Sequence, residues 1–235
     1  MFTGAGLASA GTVTVAVASN FLTTAQVLAN NFEAATGNQV ALVHGSTGKL
    51  YAQIVAGAPF DLFLSADSAR PALLEQNGQS VPGQRITYAL GRLALVVRAD
   101  VAQGSVQDIL SRDLTLAVAD PAIAPYGVAA MQVLQAVRGT NWQRRLVLGE
   151  SVGQAFAFVA TGNAGAGLVG LAQAQDYQGD LSVIAVPPEM YEPISQDAVL
   201  LMRAKDNAVA ARFFAFLSSP EARDIIAAAG YSVPE

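Results

Sequence analysis

The segment TVTVAVASNFLTTAQVLANNFEAATG, residues 12–37, decides the fold class. Valines alternate with small residues from Thr12 to Ala18, which suits a strand buried within a sheet. Beyond Ser19 and Asn20 the period changes: Leu22, Ala25, Leu28 and Phe32 recur at helical spacing, and Gly37 ends the run. A strand that feeds directly into a helix predicts α/β architecture built from such units in series.

The pattern continues outward in both spacing and order. Residues 40–43 read as a second strand and 50–55 as a second helix; 61–64 and 69–75 repeat the alternation. A middle block follows, with a strand at 115–118, a helix from about 128 to 137, a capped helix starting at Val152 and a strand near 167–169. Because helical segments separate these strands, parallel sheets are expected. Residues 88–97 (YALGRLALVV) form one longer extended run and 198–202 another, and long strands there are placed to join two lobes. Ser219 as N-cap, Pro220 at the first helical position and Gly230 after Ala229 frame a final helix. The chain shows neither an internal repeat nor a low-complexity stretch.

Composition excludes several functions. With 18 acidic against 13 basic residues, a formal net charge of −5 and only two lysines, Lys49 and Lys205, the chain lacks the basic face of a nucleic-acid binder or a membrane-surface helix. Hydrophobic residues make up 52%, yet no apolar run reaches the roughly 18 residues of a membrane span, so a soluble protein is expected. Zero cysteines exclude disulfides, thiolate metal sites and cysteine nucleophiles, and leave the redox compartment open. Ala8-Ser9-Ala10 reads as the end of an export signal or as a leader left from expression.

The chemistry is carried by small polar residues at predicted helix starts. Ser19-Asn20 follows the first strand, and Ser46-Thr47-Gly48 follows the second. In α/β sheets these strand ends line the ligand crevice, where first-turn N–H groups are unpaired and carry the positive end of the helix dipole. Two such ends make an anion cradle, although either alone is an ordinary cap. Gly45 and Gly48 would let backbone approach a ligand. The lone His44 has no acidic partner at a recognised spacing, and Asp61 and Asp67 read as residues that order a turn and cap a helix. Lys49 is expected in solvent. No catalytic residue and no direct protein ligand to a metal is expected.

Four ordered motifs sharpen the picture: GSTGKLYAQIVAGAPFDLFLSAD (45–67), DPAIAPYGVAA (120–130), ESVGQA (150–155) and YEPISQDAVL (191–200). Together they resemble the periplasmic molybdate-binding protein family, the substrate-binding component of molybdate/tungstate ABC transporters. The similarity spans the chain from about Thr12 to Pro234. It implies a type II periplasmic-binding-protein fold: two α/β lobes joined by two crossing strands, with residues 1–88 plus 198–235 in one lobe, 89–197 in the other, and the ligand cleft between them. It also implies oxyanion contacts from Ser19, Asn20, Ser46, Thr47, Tyr126 and Val152, the last two through backbone N–H groups. The ligand would be molybdate or tungstate bound as an oxyanion, with no cofactor. The partner would be an ABC-transporter permease, and the protein an exported monomer on the periplasmic or extracellular face. Thr47 stands where serine is usual in this pattern, and its extra methyl bears on the choice between molybdate and tungstate.

Magnitudes allow a cage without cations. Nanomolar binding needs about 12 kcal/mol, and a hydrogen bond to a charged group contributes roughly 1.5–3 kcal/mol, so about four to eight aligned donors suffice. A donor-only site also rejects monoprotonated phosphate, whose proton finds no acceptor. Two alternatives stand beside this one: a binding or sensing protein of the same fold for sulfate or another anion, and a serine hydrolase using Ser46 with His44.

Overall fold

The computed structural model describes residues 10–138, 145–175, 177 and 179–234; Ala8 and Ser9 of the leader-like motif lie outside the described residues. The N-terminal part comprises β1 (Thr12–Ala18), α1 (Leu22–Thr36), β2 (Gln39–Gly45), α2 (Thr47–Val55), β3 (Leu62–Leu64), α3 (Ala69–Gln76) and β4 (Ser80–Gly91). The middle comprises β5 (Leu93–Arg98), α4 (Val106–Leu110), β6 (Leu116–Ala119), α5 (Pro125–Arg138), β7 (Leu146–Gly149), α6 (Val152–Ala160), β8 (Ala166–Gly170), α7 (Leu171–Gln175) and β9 (Leu181–Ala185). The chain ends with β10 (Ile194–Leu201), α8 (Ala208–Phe216) and α9 (Pro220–Ala228). Two five-stranded sheets result, ordered β2-β1-β3-β10-β4 and β7-β6-β8-β5-β9.

The alternation in β1 is used on both faces. Val13, Val15 and Val17 pack with Leu28 and Phe32 of α1, Phe213 of α8 and Ile226 of α9, while Ala16 faces Leu50, Ile54, Phe63 and Leu74. Each fully buried side chain of this size contributes about 1.5–3 kcal/mol. The Phe32 and Phe213 rings meet edge to face at 5.1 Å, a geometry that adds to simple burial. The second sheet has a core of its own, with Leu95, Val118, Val133 and Leu168 among its buried residues.

The sheets are mixed, not parallel as the helical alternation suggested. Strands β1, β2 and β3 are parallel neighbours, as are β6, β7 and β8; β10 runs antiparallel to β3 and β4, and β5 antiparallel to β8 and β9. The antiparallel strands are those through which the chain leaves one sheet or returns to it, without a crossover helix on the same sheet to reset its direction. The extended run at 88–97 is correspondingly two strands: β4 ends at Gly91 in the first sheet and β5 starts at Leu93 in the second. A Cβ on Gly91 would collide with the Tyr126 hydroxyl, so the chain can change sheets at this point only with a bare backbone.

Strands β4 and β10, which flank the passages between sheets, are tied by a buried carboxylate. Asp197 accepts from Thr87 Oγ1 at 2.7 Å and from Arg85 Nη1 at 2.9 Å. Hydrogen bonds to Asp197 and then Glu75 hold the Arg85 guanidinium above its ordinary pKa. Among the described residues, no helix is long and apolar enough to cross a membrane.

Candidate functional site

A small cavity of about 10 Å³, room for about one water molecule, lies between the two sheets, lined by Ser19, Asn20, Ser46, Thr47, Tyr126 and Val152 with Ala18, Ala66, Ala124 and Pro125. The fold thus gathers at one point every residue singled out from the sequence as an oxyanion contact. A space this small excludes a drug-sized ligand, whose sites run to roughly 300–1,000 Å³. Among the described residues, no Lys, Arg, His, Asp or Glu lines it.

Backbone donors come from the start of each surrounding helix. At α2, Ser46 Oγ accepts the Lys49 N–H at 3.4 Å and the Gly48 N–H goes to the Ile123 carbonyl at 2.9 Å, which leaves the Thr47 N–H without an intrahelical acceptor. At α5, Pro125 has no N–H and Gly127 donates to the Ala124 carbonyl at 2.9 Å, so the first free donor is that of Tyr126. At α6, Ser151 Oγ takes the Gln154 N–H at 3.2 Å, leaving those of Val152 and Gly153. The 3-10 turn Ser19–Phe21 between β1 and α1 presents Ser19 and Asn20 in the same way. Helix dipoles add positive potential at the ends of α2, α5 and α6.

Side chains on the first-sheet side add hydroxyls. Thr47 is 1% exposed, and its Oγ1 accepts the Ala66 N–H at 3.1 Å, so its own hydrogen is free for a different acceptor. Asn20 has its side chain engaged within the protein. Its Nδ2 donates to Gln196 Oε1 at 2.8 Å and to the Tyr231 hydroxyl at 3.2 Å, while Tyr231 donates back to the Asn20 carbonyl at 2.8 Å. Both amide hydrogens are therefore engaged behind the cavity, and what Asn20 has left for a ligand is its backbone N–H. Gln196 and Tyr231 lie 176 and 211 positions away, so no local signal could have revealed them.

The phenols behind the cavity stay neutral. Burial pushes the Tyr126, Tyr88 and Tyr231 hydroxyls well above their ordinary pKa, and for Tyr126 the neighbouring phenols of Tyr231, Tyr88 and Tyr191 push the same way. Tyr126 and Val152 themselves are 2% and 3% exposed, with side chains in the core of the second sheet.

The remaining sequence candidates lie elsewhere. His44 is exposed on β2 while Ser46 is buried as a cap, so the pair a hydrolase would need is not assembled. The carboxylate of Asp61 accepts the Thr14 N–H at 2.8 Å and ties β3 to β1. Asp67 Oδ1 accepts the Arg70 N–H at 3.0 Å at the start of α3, and Asp67 also pairs with the Arg70 guanidinium. Lys49 is half exposed and paired with Glu150 at 2.6 Å across the cavity mouth. An open groove of about 350 Å³ adjoins the cavity, but Asp67 and Glu192 line it against Arg70 alone, a net negative wall of the wrong sign for an anion. Among the described residues, no group of three or more His, Cys, Asp or Glu is placed to hold a metal ion. The cavity can donate hydrogen bonds from two sides to a small, fully deprotonated ion; it offers little else.

Comparison with known proteins agrees with this geometry. Residues 13–232 match the family model of bacterial extracellular solute-binding proteins. The chain is 42% identical to the molybdate-binding protein ModA of Rhodobacter capsulatus, over 95% of this chain and 89% of that protein. It is 43% identical to the ModA of Azotobacter vinelandii over 98% and 95% of the two chains. The solved Azotobacter vinelandii periplasmic molybdate-binding protein superposes with a TM-score of 0.88 at 39% identity, covering 95% of this chain and all of that one. A sulfate-binding protein, SubI of Mycobacterium tuberculosis, shares the fold at a TM-score of 0.80 and 17% identity, covering 96% and 88%.

Proposed function

The chain belongs to the bacterial extracellular solute-binding proteins, within them to the periplasmic molybdate-binding proteins, and we propose that its cavity captures molybdate or tungstate for an ABC importer. What supports this is the lining of the cavity: Ser19, Ser46 and Thr47 from one half meet Tyr126 and Val152 from the other, with no charged side chain among the described lining residues. In the type II periplasmic binding fold, two α/β halves close on the ligand, so that donors from opposite sides replace the water around it. Ser19, Ser46 and Thr47 would contribute hydroxyls; Asn20, Thr47, Tyr126 and Val152 would contribute N–H groups. That makes about seven donors against the four to eight that nanomolar binding requires.

With β4 through Gly91 and β10 from Ile194 in the first sheet, the chain up to Gly91 with that from Ile194 would move as one lobe and 92–193 as the other, a boundary a few residues inside the expected 89–197, with the passages after β4 and before β10 as the hinge. The protein would work as a monomer that hands its oxyanion to a permease, without cofactor, turnover or nucleic acid. Selection against phosphate follows from the lining, since a bound proton would face only donors.

Calorimetric titration with molybdate, tungstate, sulfate and phosphate tests this function. Molybdate and tungstate should bind at least about a hundredfold more tightly than sulfate, a difference of about 2.7 kcal/mol, and phosphate should give no heat. Sulfate binding more tightly than molybdate would move the chain to the sulfate alternative.

A further inference from the structure

Gly48 is the second residue of α2, and its φ lies outside the left-handed region, so the local backbone would accept any residue there. Glycine also weakens a helix relative to alanine. What this position demands comes from across the cavity mouth. The Gly48 N–H donates to the Ile123 carbonyl at 2.9 Å. A Cβ on Gly48 would stand 3.0 Å from the Ile123 Cα, 3.0 Å from its carbonyl oxygen and 3.1 Å from its Cβ.

Ile123 sits between β6 and α5, on the opposite half of the molecule from α2. The two backbones therefore touch across the cleft, beside Thr47 and Ala124, which both line the cavity. Other contacts over the same mouth are softer. Lys49 Nζ reaches Glu150 Oε2 at 2.6 Å with both ends exposed, and Arg70 Nη2 reaches the Ala122 carbonyl at 3.4 Å. Long side chains like these can shift and keep their partners, whereas packed backbone yields little.

We infer that Gly48 is the stop that sets how far the two halves close, and thereby how tightly the cage grips its oxyanion. This rests on the cavity being the anion site. Donor–oxygen distances in charge-assisted bonds are short, so a cleft held open by even a few tenths of an ångström weakens the bonds from Tyr126 and Val152 together. Bonds from Ser19 and Thr47, on the same side as Gly48, would survive and hold the ion loosely.

The test compares wild type, Gly48→Ala and Gly48→Val in molybdate titrations, in stopped-flow release, and in melting of the unliganded protein. Gly48→Ala should bind molybdate about tenfold more weakly and Gly48→Val more weakly still, with the loss in faster release and not in slower capture. The unliganded alanine variant should melt no lower than wild type, because alanine suits a helix better. A Gly48→Ala variant with wild-type affinity overturns the inference. So does a loss of affinity accompanied by a lower melting temperature, which would place the role of the glycine in the folding of α2. A wild-type chain that binds neither molybdate nor tungstate nor sulfate overturns the proposed function, and this inference with it.

Discussion

On the first-sheet wall of the cavity stand Ser19, Ser46 and Thr47, which under the proposed function would offer side-chain hydroxyls; on the second-sheet wall, Tyr126 and Val152 bury their side chains in a hydrophobic core and would offer only backbone N–H groups. Residue identity therefore decides the chemistry on one side, while on the other it decides only the packing that aims a helix. The two walls should respond to mutation by opposite rules.

The largest effect is expected from removing a backbone donor on the second wall. Val152 is the first residue of α6, and Ser151 before it is extended at φ −152° and ψ 164°, a conformation that tolerates a following proline. Val152→Pro should keep the fold, at a core cost like that of Val152→Ala, and in addition lose about 1.5–3 kcal/mol of molybdate affinity, read by calorimetry, because one N–H to a charged acceptor is gone. Val152→Ala should cost about 1–3 kcal/mol of stability through the core while affinity holds. Equal behaviour of the two variants in binding would erase the contrast between the walls.

On the first wall the side chain should matter directly. Thr47→Val keeps the shape and removes the hydroxyl; affinity should fall by about 1–2 kcal/mol, and stability by a similar amount because the Ala66 N–H loses its acceptor. Thr47→Ser keeps the hydroxyl and should hold both near wild type, so any difference in the molybdate-to-tungstate ratio between wild type and Thr47→Ser would be the contribution of the methyl group. Asn20 sharpens the comparison further. With its amide engaged by Gln196 and Tyr231, Asn20→Ala should lower stability by about 1–2 kcal/mol in denaturant melts and affinity by less.

The smallest effect is expected from pH. Among the described residues no Asp, Glu, His, Lys or Arg lines the cavity, and burial raises the Tyr126 phenol behind it above its ordinary pKa, so affinity should be flat from neutral pH to about pH 9. The raised tyrosines stabilise the folded protein fully below the unfolded-state pKa near about 10, and that contribution is lost as pH rises through their folded values. Melting temperature should accordingly drop only in strong alkali.

The same difference between the walls explains what could be read from the sequence. Strands and helices announced themselves through periodicity, and Ser19, Ser46 and Thr47 stood out as hydroxyls at helix starts. Tyr126 and Val152 did not, since every residue but proline has an N–H; they emerged from the family resemblance alone, and both lie on the cavity lining. Residues 88–97 lack a strong turn signal, so their division between two sheets at Arg92 is a tertiary decision, made where Gly91 passes Tyr126. The network behind Asn20 was likewise invisible, because its partners come from β10 and from beyond α9.

A crystal structure with molybdate bound tests the central claim most directly. The anion should occupy the cavity between the sheets, with its oxygens about 2.7–3.0 Å from the Ser19 and Thr47 hydroxyls and from the Tyr126 and Val152 nitrogens. Molybdate bound outside that cavity, or held chiefly by lysine and arginine side chains, would contradict it.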